Sequence, residues 1–260
     1  MKRLTGDKEL QSMLDYIGVD YAKCLYMYFN ARRYGLENPH MKIWLDSDDN
    51  GIHGAYLLYY DCMHFFSRED KYEFDKVIDF AESEGARTLF VPDEYAFHDS
   101  EISHEIMNVF CRDSIIPNRI KGGTLITAKP ENAEAIAEFM MNDGAIRQTY
   151  RFDELCSQMK ERIADGFSRV VFMLDGDAII ASFMTKAEIP GMAITGGLLV
   201  SDSKSGLGLG YYISNEVKNT LVNEGREIYS IVDVNNENSE RIQISTGGRK
   251  VARVCKYHLG

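Results

Sequence analysis

Val200-Ser201-Asp202-Ser203-Lys204-Ser205-Gly206-Leu207-Gly208-Leu209-Gly210 is the stretch on which the reading of this chain turns. An apolar run, Met192–Val200, leads into it, and a helix is expected from about Gly208 to Glu224, stopped by Gly225. Strand, glycine loop and helix in that order put consecutive backbone N–H groups at a helix N-terminus, where the helix dipole adds partial positive charge. Glycine is needed wherever a Cβ would block an incoming group or where φ must be positive. Gly206, Gly208 and Gly210 stand at alternate positions, and Lys204 at the rim offers a cation. The pattern suits a pyrophosphate.

Working outward, a strand Glu227–Val234 follows the helix, then a helix 237–246 ended by Gly247-Gly248, then a strand Lys250–Tyr257. Upstream lie helices at Asn132–Asp143 and Asp153–Asp165. Strands Arg169–Leu174 and Ala178–Lys186 are joined by Asp175-Gly176-Asp177, a strong hairpin signal. The turn Lys129-Pro130-Glu131-Asn132 is the best boundary, giving an N-terminal α/β domain over 1–129 and a second domain over 130–260. In the first, helix is expected over 8–34 and a strand at Lys42–Leu45. One long aromatic strand is expected over 54–66, then a helix at 68–84 capped by Ser67 with Asp70 three residues on. A strand Arg87–Val91, a helix 100–112 and a strand Gly123–Thr127 complete it. Each half therefore runs helix, hairpin, helix, strand, so the halves read as distant repeats. Only the second carries the glycine loop.

The loop resembles the acyl-CoA signature of the GCN5-related N-acetyltransferases, the GNAT superfamily. There a strand ends in valine and the loop reads Arg/Gln-Gly-x-Gly-x-Gly/Ala. Here Val200, the spacing and Gly206, Gly208 and Gly210 are kept, while Ser205 replaces Arg/Gln and Asp202 replaces a frequent proline. The family's Val-x-x-x-Asn-x-x-Ala is matched by Val232, Asn236 and Ser239. Its tyrosine, often the acid that protonates the leaving thiolate, falls at Gln243, and its Gly-Phe at Gly247-Gly248. The resemblance covers about 132–260; the N-terminal half fits a degenerate GNAT-like repeat. It implies an α/β fold of two mixed-sheet halves, the C-terminal one GNAT, and transfer of acetyl from acetyl-CoA to an amine acceptor. It further implies Leu198, Leu199 and Val200 as main-chain partners of pantetheine and thioester, with Ser205, Gly206, Leu207, Gly208, Leu209, Gly210 and Asn236 also binding the co-substrate. Asp233 as base and Ser245 as acid are the catalytic candidates, by position alone. A non-catalytic acyl-CoA-binding or regulatory module is the alternative, prompted by Gln243.

Other readings fit worse. A dinucleotide-binding unit needs G-x-G-x-x-G on a tight turn, whereas five residues separate Val200 from Gly206, and too few follow Val234 to extend a doubly wound sheet. G-x-S-x-G is absent. Asp46, Asp48 and Asp49 lack the rest of a calcium loop. His40, His53, His64, His98 and His104 have no partner at a telling spacing. The 45% apolar and 27% charged composition is that of a globular protein. Net charge is -11, which speaks against nucleic acid and is compatible with a cationic amine substrate. The five cysteines are scattered, as expected of free thiols in a reducing cytoplasm, and no metal is expected. Neither a secretory signal nor a membrane span is read from the sequence.

Overall fold

The computed structural model of the chain describes residues 1–68, 73–96 and 101–260. Contacts gather them into two compact units, neither of them continuous in sequence. The first holds Met1–Val109, Val232–Asn236 and Lys250–Gly260; the second holds Phe110–Ile231 and Glu237–Arg249. The boundary expected at 129/130 falls inside the second unit.

The first unit runs β1 (Lys2–Arg3), α1 (Asp7–Gly18), α2 (Leu25–Tyr34), β2 (Met41–Asp48), β3 (Gly51–Tyr59), β4 (Cys62–Ser67), α3 (Phe74–Ser83), β5 (Thr88–Pro92) and β6 (His104–Arg112), the last leaving the unit after Val109. The second runs β7 (Ile126–Thr127), α4 (Ala133–Met140), α5 (Gly144–Thr149), α6 (Phe152–Ala164), β8 (Val170–Asp175), β9 (Ala178–Ile189), β10 (Met192–Val200), α7 (Leu209–Asn223), β11 (Glu227–Asp233) and α8 (Glu237–Ser245). Then β12 (Arg249–His258) returns to the first unit.

The two units repeat one topology. β1, β2, β3 and β4 pair antiparallel in turn, and β5 joins β4 in parallel. β7, β8, β9 and β10 pair antiparallel in turn, and β11 joins β10 in parallel. Each parallel step is made by one helix, α3 or α7, because a parallel crossover is too long for a turn. In the first unit β12 lies antiparallel beside β5, burying Cys255 and Tyr257 with Trp44, Leu89 and Val91.

Several expected elements are corrected. The helix read over 8–34 is two, α1 and α2, with Gly18 closing the first. The strand read over 54–66 is the hairpin of β3 and β4, turning on Tyr60 and Asp61. Tyr60 takes φ 55° without a glycine to announce it, stacked on His40 at 4.5 Å and donating its N–H to the His40 carbonyl at 2.9 Å. Ser67 is not a helix cap: it ends β4 and donates its hydroxyl to the His53 carbonyl at 2.7 Å, while the helix starts at Phe74. Asp70 and His98 lie outside the described residues. The helix read over 100–112 is strand β6, since a short, largely apolar run is the case where periodicity cannot separate the two. The strand read over 123–127 shrinks to β7, and Gly144, read as a stop, opens α5.

Candidate active site

β10 is built to leave main chain unsatisfied. Its parallel ladder with β11 runs only from Met192↔Glu227 to Thr195↔Ser230, where the two hydroxyls meet at 2.7 Å. Beyond Thr195, β10 continues against β9 alone, through Gly196↔Met184, Leu199↔Ser182 and Val200↔Ala181. Two residues of β10, Gly197 and Leu198, face one of β9 there, and Gly197 takes φ 62° to make that bulge. Among the described residues, the outer edge of Gly196–Val200 has no strand paired with it, which leaves main chain open to an extended ligand. The side chains of Leu198 and Val200 pack on the α7 side and that of Leu199 on the side of α4 and α6.

The loop that follows is held open by backbone geometry. Ser201 donates its N–H to the Ile180 carbonyl at 2.9 Å, and a short turn over Asp202–Lys204 delivers Ser205 in an extended conformation. Gly206 and Gly208 both sit at φ 77°, where a side chain is strained. Gly210 is under no such demand: a methyl there would make ordinary contact with Leu198, Val200 and Ile242, each at 3.5 Å. The first α7 amide with a backbone partner is that of Tyr212, donating to the Gly208 carbonyl at 3.0 Å. Among the described residues, nothing accepts from the N–H groups of Gly206, Leu207, Gly208, Leu209, Gly210 and Tyr211. A run of free N–H donors on a left-handed double bend at a helix start is an anion cradle.

Lys204, read as a rim cation, is paired with Asp175 of the β8–β9 hairpin at 2.6 Å. A feature invisible in sequence lies over α7 instead. Residues 113–125, without regular structure, form a strap along it. Asn215 gives its amide N–H groups to the Ile116 carbonyl and to Asn118 Oδ1, at 2.8 and 2.9 Å. Asn219, one turn on, accepts the Ile116 N–H at 3.0 Å and donates back to that residue's carbonyl at 2.9 Å. Buried Arg112 donates to both asparagine oxygens. The strap then passes Gly122 over the Tyr212 ring and lays Ile120 against Gly208.

The catalytic candidates are engaged locally. Asp233 and Asn236 belong to the segment that packs with the first unit. There Asp233 Oδ1 accepts the Asn235 N–H at 2.7 Å and its carbonyl accepts the Asn236 N–H at 2.9 Å, a turn that leads into α8. Ser245 donates its hydroxyl to the Ile242 carbonyl, as a helix serine does. Gln243 is buried, and Lys218 of α7 donates to its Oε1 at 2.6 Å and to Thr246 Oγ1 at 3.0 Å. Burial, and then the Arg112 guanidinium, pull the Lys218 ammonium down to about 7. Among the described residues no three metal-binding side chains converge, and no helix is long and apolar enough to cross a membrane.

Solved structures share this architecture over nearly the whole chain. A tandem GNAT protein from the clavulanic acid biosynthesis pathway matches 98% of the chain and 96% of its own, with TM-score 0.61 and 14% identity. A GNAT-family acetyltransferase from Colwellia psychrerythraea matches 100% and 99%, with TM-score 0.64 and 11% identity. A GCN5-related N-acetyltransferase from Sphaerobacter thermophilus matches 95% and 90%, with TM-score 0.64 and 11% identity. The chain has the GNAT fold. It has it twice, as the repeated topology of its two units shows, and the tandem GNAT neighbour is matched end to end. No protein-family model and no curated protein sequence matches the chain. Only the second GNAT unit carries the glycine loop, since Arg68 through Glu73, between β4 and α3, contain no glycine.

Proposed function

We propose that the second unit binds acetyl-CoA and transfers its acetyl group to an amine. The observation that carries this is the run of unpartnered N–H groups from Gly206 to Tyr211, directly after a strand whose edge is free beyond Thr195. The pyrophosphate lies on the loop amides, and pantetheine runs along Gly196–Val200 as an added strand-like partner. The thioester carbonyl is polarised by a main-chain N–H of that segment. The amine nitrogen attacks the carbonyl carbon, forming C–N as C–S breaks. The amine gives up one proton to water, and the departing thiolate takes one. Asn236 is assigned to the co-substrate by family position alone.

Calorimetry with acetyl-CoA tests the binding. The wild type gives a saturable isotherm, and Gly208→Glu, with a side chain at φ 77° and a carboxylate in the cradle, weakens it at least a hundredfold. Absence of binding by the wild type overturns the reading. One observation favours a second reading, a binding module without turnover: Gln243, which cannot protonate a thiolate, is locked to Lys218 at the family's tyrosine position. Free thiol released from acetyl-CoA across a panel of amines separates the two.

A further inference from the structure

Within the second unit, α4, α5 and α6 cover the β8–β9 hairpin and leave an open pocket between them. Its wall is mostly apolar, with Met140, Leu155, Met159, Val170 and Met184 among the lining residues, and it contains no carboxylate. It does contain two cations, Lys186 and Arg162.

Neither cation has a partner. Among the described residues, no hydrogen bond or ion pair reaches the Lys186 ammonium or the Arg162 guanidinium. Glu188, two residues on from Lys186 in β9, is committed to Arg169 and Arg226. An ammonium in apolar surroundings with no counter-charge is costly, so its retention calls for something that compensates when bound. Burial, and then the Arg162 charge, hold the Lys186 ammonium below the usual lysine range, which places the two cations within each other's field. The backbone aims the lysine: Ala187 pairs with Ile194 and Thr185 with Thr195, so Lys186 is the extra residue of a bulge in β9. Two of its lining side chains also approach β10 at Gly197. A methyl on Gly197 would stand 3.7 Å from Lys186 Nζ and 3.0 Å from the Met184 sulfur.

We infer that this pocket receives an apolar group ending in a carboxylate, held by Lys186 and Arg162, and that it defines the substrate class of the transferase. The second half of that statement rests on the acetyl-CoA reading of the loop. Two cations answer the two oxygens of one carboxylate; a phosphate would turn its further oxygens toward methionine and valine side chains. The carboxylate has two possible sources: an apolar amino acid serving as the acceptor, or a dicarboxylic acyl group carried on the thioester.

The test uses the full chain. Calorimetry or ligand-observed NMR compares hexanoate, hexan-1-ol and hexylamine. Hexanoate binds at least tenfold more tightly than hexanol, and hexylamine binds least. Lys186→Met and Arg162→Met each reduce the hexanoate preference, and together they abolish it, while acetyl-CoA binding is unchanged. Because Lys186→Met removes an unpaired, half-buried charge, it melts no lower than the wild type; Arg162→Met, at a part-exposed helix site, is a second variant. Equal binding of hexanoate and hexanol, or a preference that survives both substitutions, overturns the site. Leucine against leucinol as acceptor, and glutaryl-CoA against pentanoyl-CoA as donor, then locate the carboxylate. The source is the pair whose carboxylate preference depends on Lys186, and no such preference in either pair overturns the substrate assignment. Hexanoate preference without acetyl-CoA binding removes the transferase reading and leaves the site standing; the reverse result removes the site alone.

Discussion

At the scale of single residues, charge and burial decide what each polar side chain can do. His64 was set aside in the sequence as a histidine on an apolar strand, and it is buried, stacked on Phe90 at 5.1 Å. Burial pulls its pKa down from 6.5 to about 4. Between those values the unfolded chain binds a proton that the folded chain refuses, so stability falls as pH drops from about 6.5 toward 4. The loss is roughly 2–3 kcal/mol. His64→Phe should flatten that part of a urea-denaturation profile measured from pH 7 to pH 4; an unchanged slope would contradict the assignment. The glycines of the loop were legible because left-handed backbone excludes nearly every other residue. Lys186 was not, since a lysine in a strand reads as solvated unless one knows that three helices cover it. Gln243 was found only through the family spacing, and its bond to Lys218 could not have been found at all.

At the scale of elements, short-range signals worked where a turn or cap fixed them. The Asp175-Gly176-Asp177 hairpin forms as read, with Asp175 opposite Ala178 and Gly176 at φ 62°. They failed where packing chose: β6 is a strand because β12 and the Val232–Asn236 segment give it partners, the Val234 N–H donating to the Ile106 carbonyl at 2.9 Å. The strap over α7 belongs to the same class, since asparagines one helical turn apart reveal their purpose only when a second chain segment lies across them. Its bonds are buried or part-buried, so losing them is costly. Asn215→Ala strands Asn118 Oδ1 and one Arg112 donor and should cost about 1–3 kcal/mol in urea denaturation. Asn219→Ala frees the Ile116 amide, whose hydrogen exchange should quicken by tenfold or more. If exchange there is unaffected, the strap is not held as described.

At the scale of the molecule, the repeat was legible in element order, helix–hairpin–helix–strand twice. The exchange of segments between units was not, because contact membership leaves no mark on local pattern. β12 contributes Cys255 and Tyr257, and Leu259 just beyond it adds to the same core around Trp44, the only tryptophan. Deleting residues 250–260 should therefore expose that core and shift Trp44 fluorescence to the red, although Trp44 lies more than two hundred positions away in sequence. Unshifted emission from the truncated chain would show that the first unit closes without β12.

The same placement of β12 sets a schedule during synthesis. Translation delivers residues up to Val109 early, yet their sheet lacks a strand beside β5 until residues 250–260 have emerged. At about 5–20 residues per second the apolar strip of β5, with Leu89 and Val91, waits on the order of ten to thirty seconds for its neighbour. The second unit, missing only α8 once Ile231 has appeared, is nearly assembled before the first can close. The half made first is the half completed last.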